Sequence, residues 1–284
     1  MTITALLSSN LVANNIIDNK VISFEKKKIT RIVKRDPNIK LIDMEMVLKK
    51  DLNYNGWKGY VFNLSLEAKG KKVEQKYYTF SDGKMITHEL INIDTKMSYK
   101  DEMYPKLSKK YFSKEHLIAG DANAKHSLVI FSDPLCPICV DEIPMVMKDI
   151  INNPKNIALY YFHMPLDMHP TASTLVKASM IASSMGIKNV DYKLYNANSK
   201  YFYGEDKDRK YDPYKERDHK KALKYFNDIF NTNITMNQIN NKKWNDKLKY
   251  DIKMAEEAFV GGTPTMFFDG EIDKRRYKYE KYLK

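Results

Sequence analysis

The chain holds two cysteines, Cys136 and Cys139, three residues apart in a CPIC run. An apolar stretch at residues 127–131 precedes them, and VDEIPMVMKDIINN with helically spaced apolar residues follows. The pattern predicts strand, turn, helix, with both thiols at the helix start. A thiol there meets free backbone N–H groups and the positive end of the helix dipole, which favour thiolate over thiol. Cys136 is therefore predicted to be acidic and exposed, attacking disulfides. Cys139, one turn inward, would resolve the mixed disulfide. The redox-active pair Cys136 and Cys139 would need no small-molecule cofactor.

Other readings of the pair are weaker. A structural disulfide across one helical turn closes a very short loop and removes little unfolded-state entropy. Zinc normally takes four ligands, and there is no second CxxC. His163 and His169 are not spaced in a familiar metal pattern, so no metal is expected. Asp133 has the right type to accept a proton, and equally the right type to form a turn before Pro134. His163 and His169 are candidates for the active-site face, with packing or capping as the plainer role. The intervening Pro137 and Ile138 offer no side-chain hydrogen bond to a thiolate, so less acidification of Cys136 is expected than in the strongest oxidants.

The elements that would position these groups fall into two halves, as the length of 284 residues permits. Residues 14–94 suggest a helix at 14–33 and short antiparallel strands, LIDMEMVL, GYVFNLSLEA, KVEQKYYTF and KMITHELINI, rich in β-branched and aromatic residues. Asn55-Gly56, Lys69-Gly70 and Asp82-Gly83 supply turns between them. Residues 95–119 are expected to be a partly helical linker, with Met103, Leu107, Tyr111 and Leu117 able to dock on a domain. Residues 120–284 form the second half. After CPIC and its helix, NIALYYFHMP predicts a buried strand, and helices are predicted at 169–185, 220–230 and 242–259. The segment 201–219 is expected to be a charged, Tyr-rich connection. The late GGTPTMFFDGEI places Thr263 and Pro264 before another apolar strand. Between Cys139 and Pro264 lie far more residues than one helix, one strand and a crossover need, so a helical insertion at about 169–258 is expected. The fold class is α+β / α/β.

Through FSDPLCPIC, HPTASTLVKAS and GGTPTMFFDG the chain resembles the periplasmic Dsb proteins of the thioredoxin superfamily, and through the N-terminal hairpin YYTFSDGKMITHELIN the dimeric DsbC and DsbG type. The resemblance implies a thioredoxin-like catalytic domain preceded by a small dimerisation domain and a linker. It also implies a cis-proline at Pro264 opposite the CxxC turn, with Thr263 contacting an incoming peptide. An ordinary loop proline before a strand is the competing reading. The implied activity is disulfide exchange in exported proteins by isomerisation, reduction or oxidation. The implied partners are unfolded or misoxidised exported proteins, a membrane redox partner and a second copy of the chain. The competing functions are a chaperone that holds unfolded exported proteins and a dedicated disulfide oxidase.

Composition narrows the class. Hydrophobic residues at 43% and charged residues at 30% suit a globular chain, and no apolar run is long enough for a spanning helix. The formal charge of +12 raises nucleic-acid binding. The lysines, however, are scattered among acidic residues, Asn and Tyr rather than gathered on one element, so no nucleic-acid partner is expected. The segment ITALLSSNLVA at residues 3–13 resembles part of a signal peptide without its basic start, or else the first apolar segment of the domain. A periplasmic location is expected on the first reading, where disulfides persist.

Overall fold

The computed structural model describes residues 3–203 and 212–283, and of residues 3–15, Asn53 and 201–203 the backbone alone. The chain forms two compact units, dividing between Tyr104 and Pro105. The first contains helix α1 (Ile3–Val33) and strands β1 (Ile39–Tyr54), β2 (Trp57–Ala68), β3 (Lys71–Ser81) and β4 (Ile86–Thr87), an antiparallel sheet in the order β1-β2-β3-β4. Tyr54 pairs with Trp57 and Ala68 with Lys71. Asn55-Gly56 and Lys69-Gly70 are thus two-residue loops, and all four residues have positive φ, the geometry that matches the twist of the flanking strands.

Helix α1 begins well before residue 14, where the sequence predicts its start, and the side chains of the apolar segment 3–13 lie outside the described residues. Its Val21 and Ile29 pack with Met44, Tyr60, Phe62 and Leu64 of the sheet. Asp18 is buried there because Lys49 and the Tyr60 hydroxyl both donate to it, at 2.6 and 3.0 Å. The strand expected at 84–93 shrinks to Ile86–Thr87. Local side chains consume its backbone groups: Asp82 accepts from the N–H groups of Lys84 and Met85, and the Ser81 and Thr87 hydroxyls donate to the carbonyls of Met85 and Glu89.

The second unit has strands β5 (Leu117–Ala119), β6 (His126–Ser132), β7 (Ile157–His163), β8 (Thr265–Phe268) and β9 (Glu271–Ile272), in the sheet order β5-β7-β6-β8-β9. Helix α2 (Pro137–Asn152) connects β6 to its parallel neighbour β7, and β8 lies antiparallel on the other side of β6. Between β7 and β8 come α3 (Ala172–Ser184), α4 (Val190–Tyr203), α5 (His219–Phe230), α6 (Met236–Ile239) and α7 (Lys242–Glu257). This is the expected fold class: a mixed sheet domain with a helical insertion, preceded by an antiparallel sheet. Helix α4 falls where the sequence predicts no helix, and residues 204–211 of the expected charged connection lie outside the described residues.

The span 95–119 is divided between the units rather than free-standing. Met103 is buried in the first, so close to Gly59 that a β-carbon there would collide with its sulfur. In the second, the Leu107 N–H donates to the Gly270 carbonyl at 2.8 Å, Tyr111 packs edge-on against Phe131 and Phe162, and Leu117 pairs with Tyr160. Apolar side chains at 103, 107, 111 and 117 gain more by burial than a solvated linker would allow. Two apolar clusters complete the second unit. One lies between α2 and the sheet, around Ile143, Leu159 and Phe268, and the other among α3 to α7, around Leu175, Phe226 and Trp244.

Candidate active site

The two thiols are held by the β6–α2 turn. The Cys136 N–H donates to the Asp133 carbonyl at 3.1 Å, and Cys136 is the N-cap of α2 with extended backbone. Pro137 occupies the first helical position, where its missing N–H costs nothing, so the first free donors at the helix start belong to Ile138 and Cys139. Cys136, expected to be exposed, is only 6% exposed because the Thr263 segment lies against its sulfur; Ile138 beside it is half exposed, and Cys139 is fully buried among Val140, Ile143 and the sheet. Both cysteines are free thiols.

Opposite the turn, β8 begins at a cis Thr263–Pro264 peptide. The Cys136 thiol donates to the Thr263 carbonyl at 3.3 Å, joining two segments 127 residues apart. The Thr263 hydroxyl is buried and bonds no nitrogen or oxygen of the protein. Donation from the Cys139 thiol lowers the Cys136 pKa most. Burial opposes it, and the Thr263 side chain and the N–H groups of Cys139 and Ile138 add to the lowering, giving about 6 from 9.0. Burial drives Cys139 the other way, well above the ordinary thiol, and the neighbouring Cys136 charge reinforces this. The two thiols therefore differ as an attacking and a resolving pair must.

Asp133, the candidate proton acceptor, is fully buried and committed to the turn. One carboxylate oxygen accepts from the Leu135 N–H at 2.7 Å, and the other from the Leu166 N–H at 2.7 Å and from His169 Nδ1 at 2.8 Å. The hydrogen bond to Asp133 raises the His169 pKa against burial, and the nearby Cys136 raises it further. His169 is thus the histidine that feels the active thiol. His163 stands elsewhere, at the end of β7: its Nδ1 bonds Asp251 of α7 at 3.2 Å and its Nε2 bonds Asp191 of α4 at 3.1 Å. Burial disfavours its charge, but the two carboxylates outweigh burial and raise its pKa to about 9. Asp251 also accepts from His116 at 2.8 Å, so a buried ion cluster ties α4 and α7 to the sheet. Among the described residues no group of side chains is arranged to hold a metal ion.

Other site residues were not singled out by sequence. Asn198 of α4 is buried, donates to the Pro134 carbonyl at 2.7 Å and accepts from the Tyr225 hydroxyl at 2.8 Å, bracing the turn from the helical insertion. Ser132, Tyr195 and Tyr161 lie beneath Cys139. An asparagine or a tyrosine in a helix of polar pattern carries no mark of such a role in one sequence.

A sheet carrying strand, CxxC turn and helix, faced by a cis Thr-Pro at the start of the next strand, defines a thioredoxin-like dithiol fold. The chain belongs to the thioredoxin family, which its residues 113–284 match. No curated protein matches it. Among solved structures it is similar to oxidised BdbD from Bacillus subtilis (16% identity, 64% of this chain and 98% of that one, TM-score 0.45). A periplasmic thioredoxin-like protein from Salmonella enterica serovar Typhimurium is also similar (17% identity, 58% and 84%, TM-score 0.44), as is the thiol-disulfide exchange protein alpha-DsbA2 from Wolbachia pipientis (18% identity, 61% and 82%, TM-score 0.41).

Proposed function

We propose that this protein is a thiol-disulfide oxidoreductase that exchanges disulfides in exported proteins. The observation that carries the proposal is the asymmetry of its two thiols: Cys136, at the helix start and 3.3 Å from the Thr263 carbonyl, has a pKa lowered to about 6, while Cys139 is buried and protonated. The Cys136 thiolate attacks a substrate disulfide, one substrate sulfur leaves as a thiol, and a mixed disulfide forms. Cys139 then attacks Cys136 Sγ, the enzyme disulfide closes and the second substrate thiol leaves. The reverse sequence oxidises a substrate. The Thr263 hydroxyl, which bonds no other nitrogen or oxygen of the protein, and the cis Pro264 bind the incoming peptide, with exposed Ile138 beside it. Isomerisation or reduction in the periplasm by a homodimer, recharged by a membrane redox partner, is the physiological form we infer, resting on the N-terminal sheet and the Thr before Pro264.

Equilibrating the cysteines in graded glutathione buffers and refolding a scrambled disulfide substrate tests this. A titrating pair and rescue that is lost in Cys136→Ser are expected. A pair inert to glutathione, with Cys136→Ser equal to wild type, would leave a chaperone instead, and binding that survives replacement of both cysteines by Ser would identify it.

A further inference from the structure

The resolving step asks the most buried thiol of the site to lose a proton. Cys139 has no exposed surface, so water does not reach it directly. Asp133, the buried carboxylate of the same turn, is occupied by Leu135, Leu166 and His169. A run of hydroxyls leads away instead. Cys139 shares one buried cluster with Tyr161 and Tyr195, and Ser132, at the end of β6, favours its thiolate. Ser132 Oγ lies 2.6 Å from the Tyr195 hydroxyl of α4, and that hydroxyl lies 2.7 Å from the Tyr161 hydroxyl of β7, all three residues being buried. Either oxygen of each pair can be the donor, so the run transmits a proton in either direction.

The run has an outlet. Tyr161 lines a cavity of about 230 Å³ together with His163, Asp191, Tyr192, Lys247 and Asp251. A cavity of that size, with these polar groups on its wall, has room for several waters at roughly 30 Å³ each. Two further charged groups act on Cys139: Cys136 across the turn and Arg276, which Glu142 of α2 holds through two hydrogen bonds at 2.5 and 2.7 Å. Neither offers a vacant proton acceptor: Cys136 is spent in the mixed disulfide, and Arg276 is a cation.

We propose that Ser132, Tyr195 and Tyr161 form a proton relay between Cys139 and the cavity beneath the sheet, serving the resolving step of the thiol exchange proposed above. As Cys139 attacks Cys136 Sγ, its proton passes to Ser132 Oγ. Ser132 gives its own to Tyr195, Tyr195 to Tyr161 and Tyr161 to solvent in the cavity, and each hydroxyl ends neutral. The Cys136–Cys139 bond forms, the bond from Cys136 to the substrate sulfur breaks, and that sulfur leaves with the electron pair and is protonated outside. Oxidation of a substrate runs the relay inward.

The test separates the two thiols in time. Reduced protein is mixed in a stopped-flow instrument with an aromatic disulfide whose thiolate is coloured. Attack by Cys136 releases one coloured thiolate, and closure by Cys139 releases the second. Tyr195→Phe keeps the ring and removes the relay hydroxyl. It is expected to slow the second release by about tenfold or more, as loss of a proton-transfer group does, while the first stays within about twofold of wild type. Tyr161→Phe, which cuts the run one link further out, is expected to slow the second release as well, so the result does not depend on one variant folding. In wild type the second release should slow more in heavy water than the first. Second releases within about twofold of wild type in both variants, or an equal slowing of both releases, would overturn the relay. Absence of the first release in wild type would instead show Cys136 to be inert, and would remove the exchange reading together with the relay built on it.

Discussion

The outer and inner sides of the CxxC turn hold the same chemical group one helical turn apart and treat it in opposite ways. On the outer side Cys136 meets the Thr263 carbonyl, the N–H groups of Ile138 and Cys139, and the His169–Asp133 pair. On the inner side Cys139 meets the apolar face of α2, the sheet and three buried hydroxyls. Residue type is constant across the comparison, so the roles follow from environment. Donors at the helix start stabilise a thiolate, and desolvation one turn deeper destabilises it. Deeper still, charge is tolerated only when paired. His163 and Asp251 are buried because each neutralises the other, with Asp191 and His116 completing the cluster.

The largest effect should come from removing one side of the comparison at a time. Cys136→Ser should reduce exchange with a disulfide substrate to the uncatalysed rate. Cys139→Ser should still attack and accumulate mixed disulfides that a non-reducing gel resolves. Next, Asp251→Asn removes the negative charge that His116 and His163 share and replaces one of its two acceptor oxygens by a donor, and denaturant unfolding should show a loss of about 3–5 kcal/mol, the usual result of breaking a buried ion pair. The same cluster gives the wild type a pH signature. His163 is raised from 6.5 to about 9, so its contribution is complete below pH 6.5 and is lost as pH rises through about 9. Melting temperature measured across that window should fall with rising pH, and less steeply in Asp251→Asn.

Alkylation sharpens the comparison further. In the reduced protein, Cys136 modification by iodoacetamide should follow the thiolate with a midpoint near pH 6, whereas Cys139 in Cys136→Ser should stay unreactive over the same range. Equal midpoints for the two thiols would break the contrast. The smallest expected change is in His169→Asn. Because His169 and Cys136 favour each other's charge, the alkylation midpoint of Cys136 should move upward by less than about one pH unit.

Much of this arrangement was legible along the chain because it is local. Residues 127–131, CPIC and the periodic segment after it announce a strand, a turn and a helix through burial pattern and spacing alone. Asn55-Gly56 and Lys69-Gly70 announce hairpins through backbone freedom. Helix α4 escaped because VDYKLYNANSK is polar overall, and only the neighbouring helices and sheet show which of its side chains are covered. The strand expected at 84–93 failed because hydrogen bonds to the Asp82 carboxylate and from the Ser81 and Thr87 hydroxyls outcompeted ladder bonds that the residue types favour.

By itself the sequence determined the existence of one dithiol, its place at a helix start and the late Thr-Pro before an apolar strand, since each depends on neighbours within a few residues. Only the tertiary structure decided that Thr263 meets Cys136 across 127 positions, that His169 rather than His163 serves the outer side, and that Ser132, Tyr195 and Tyr161 meet beneath Cys139. Those relations depend on which strands pair and which helices cover them. Partners distant in sequence come together through the burial of the whole sheet, and no local spacing encodes them.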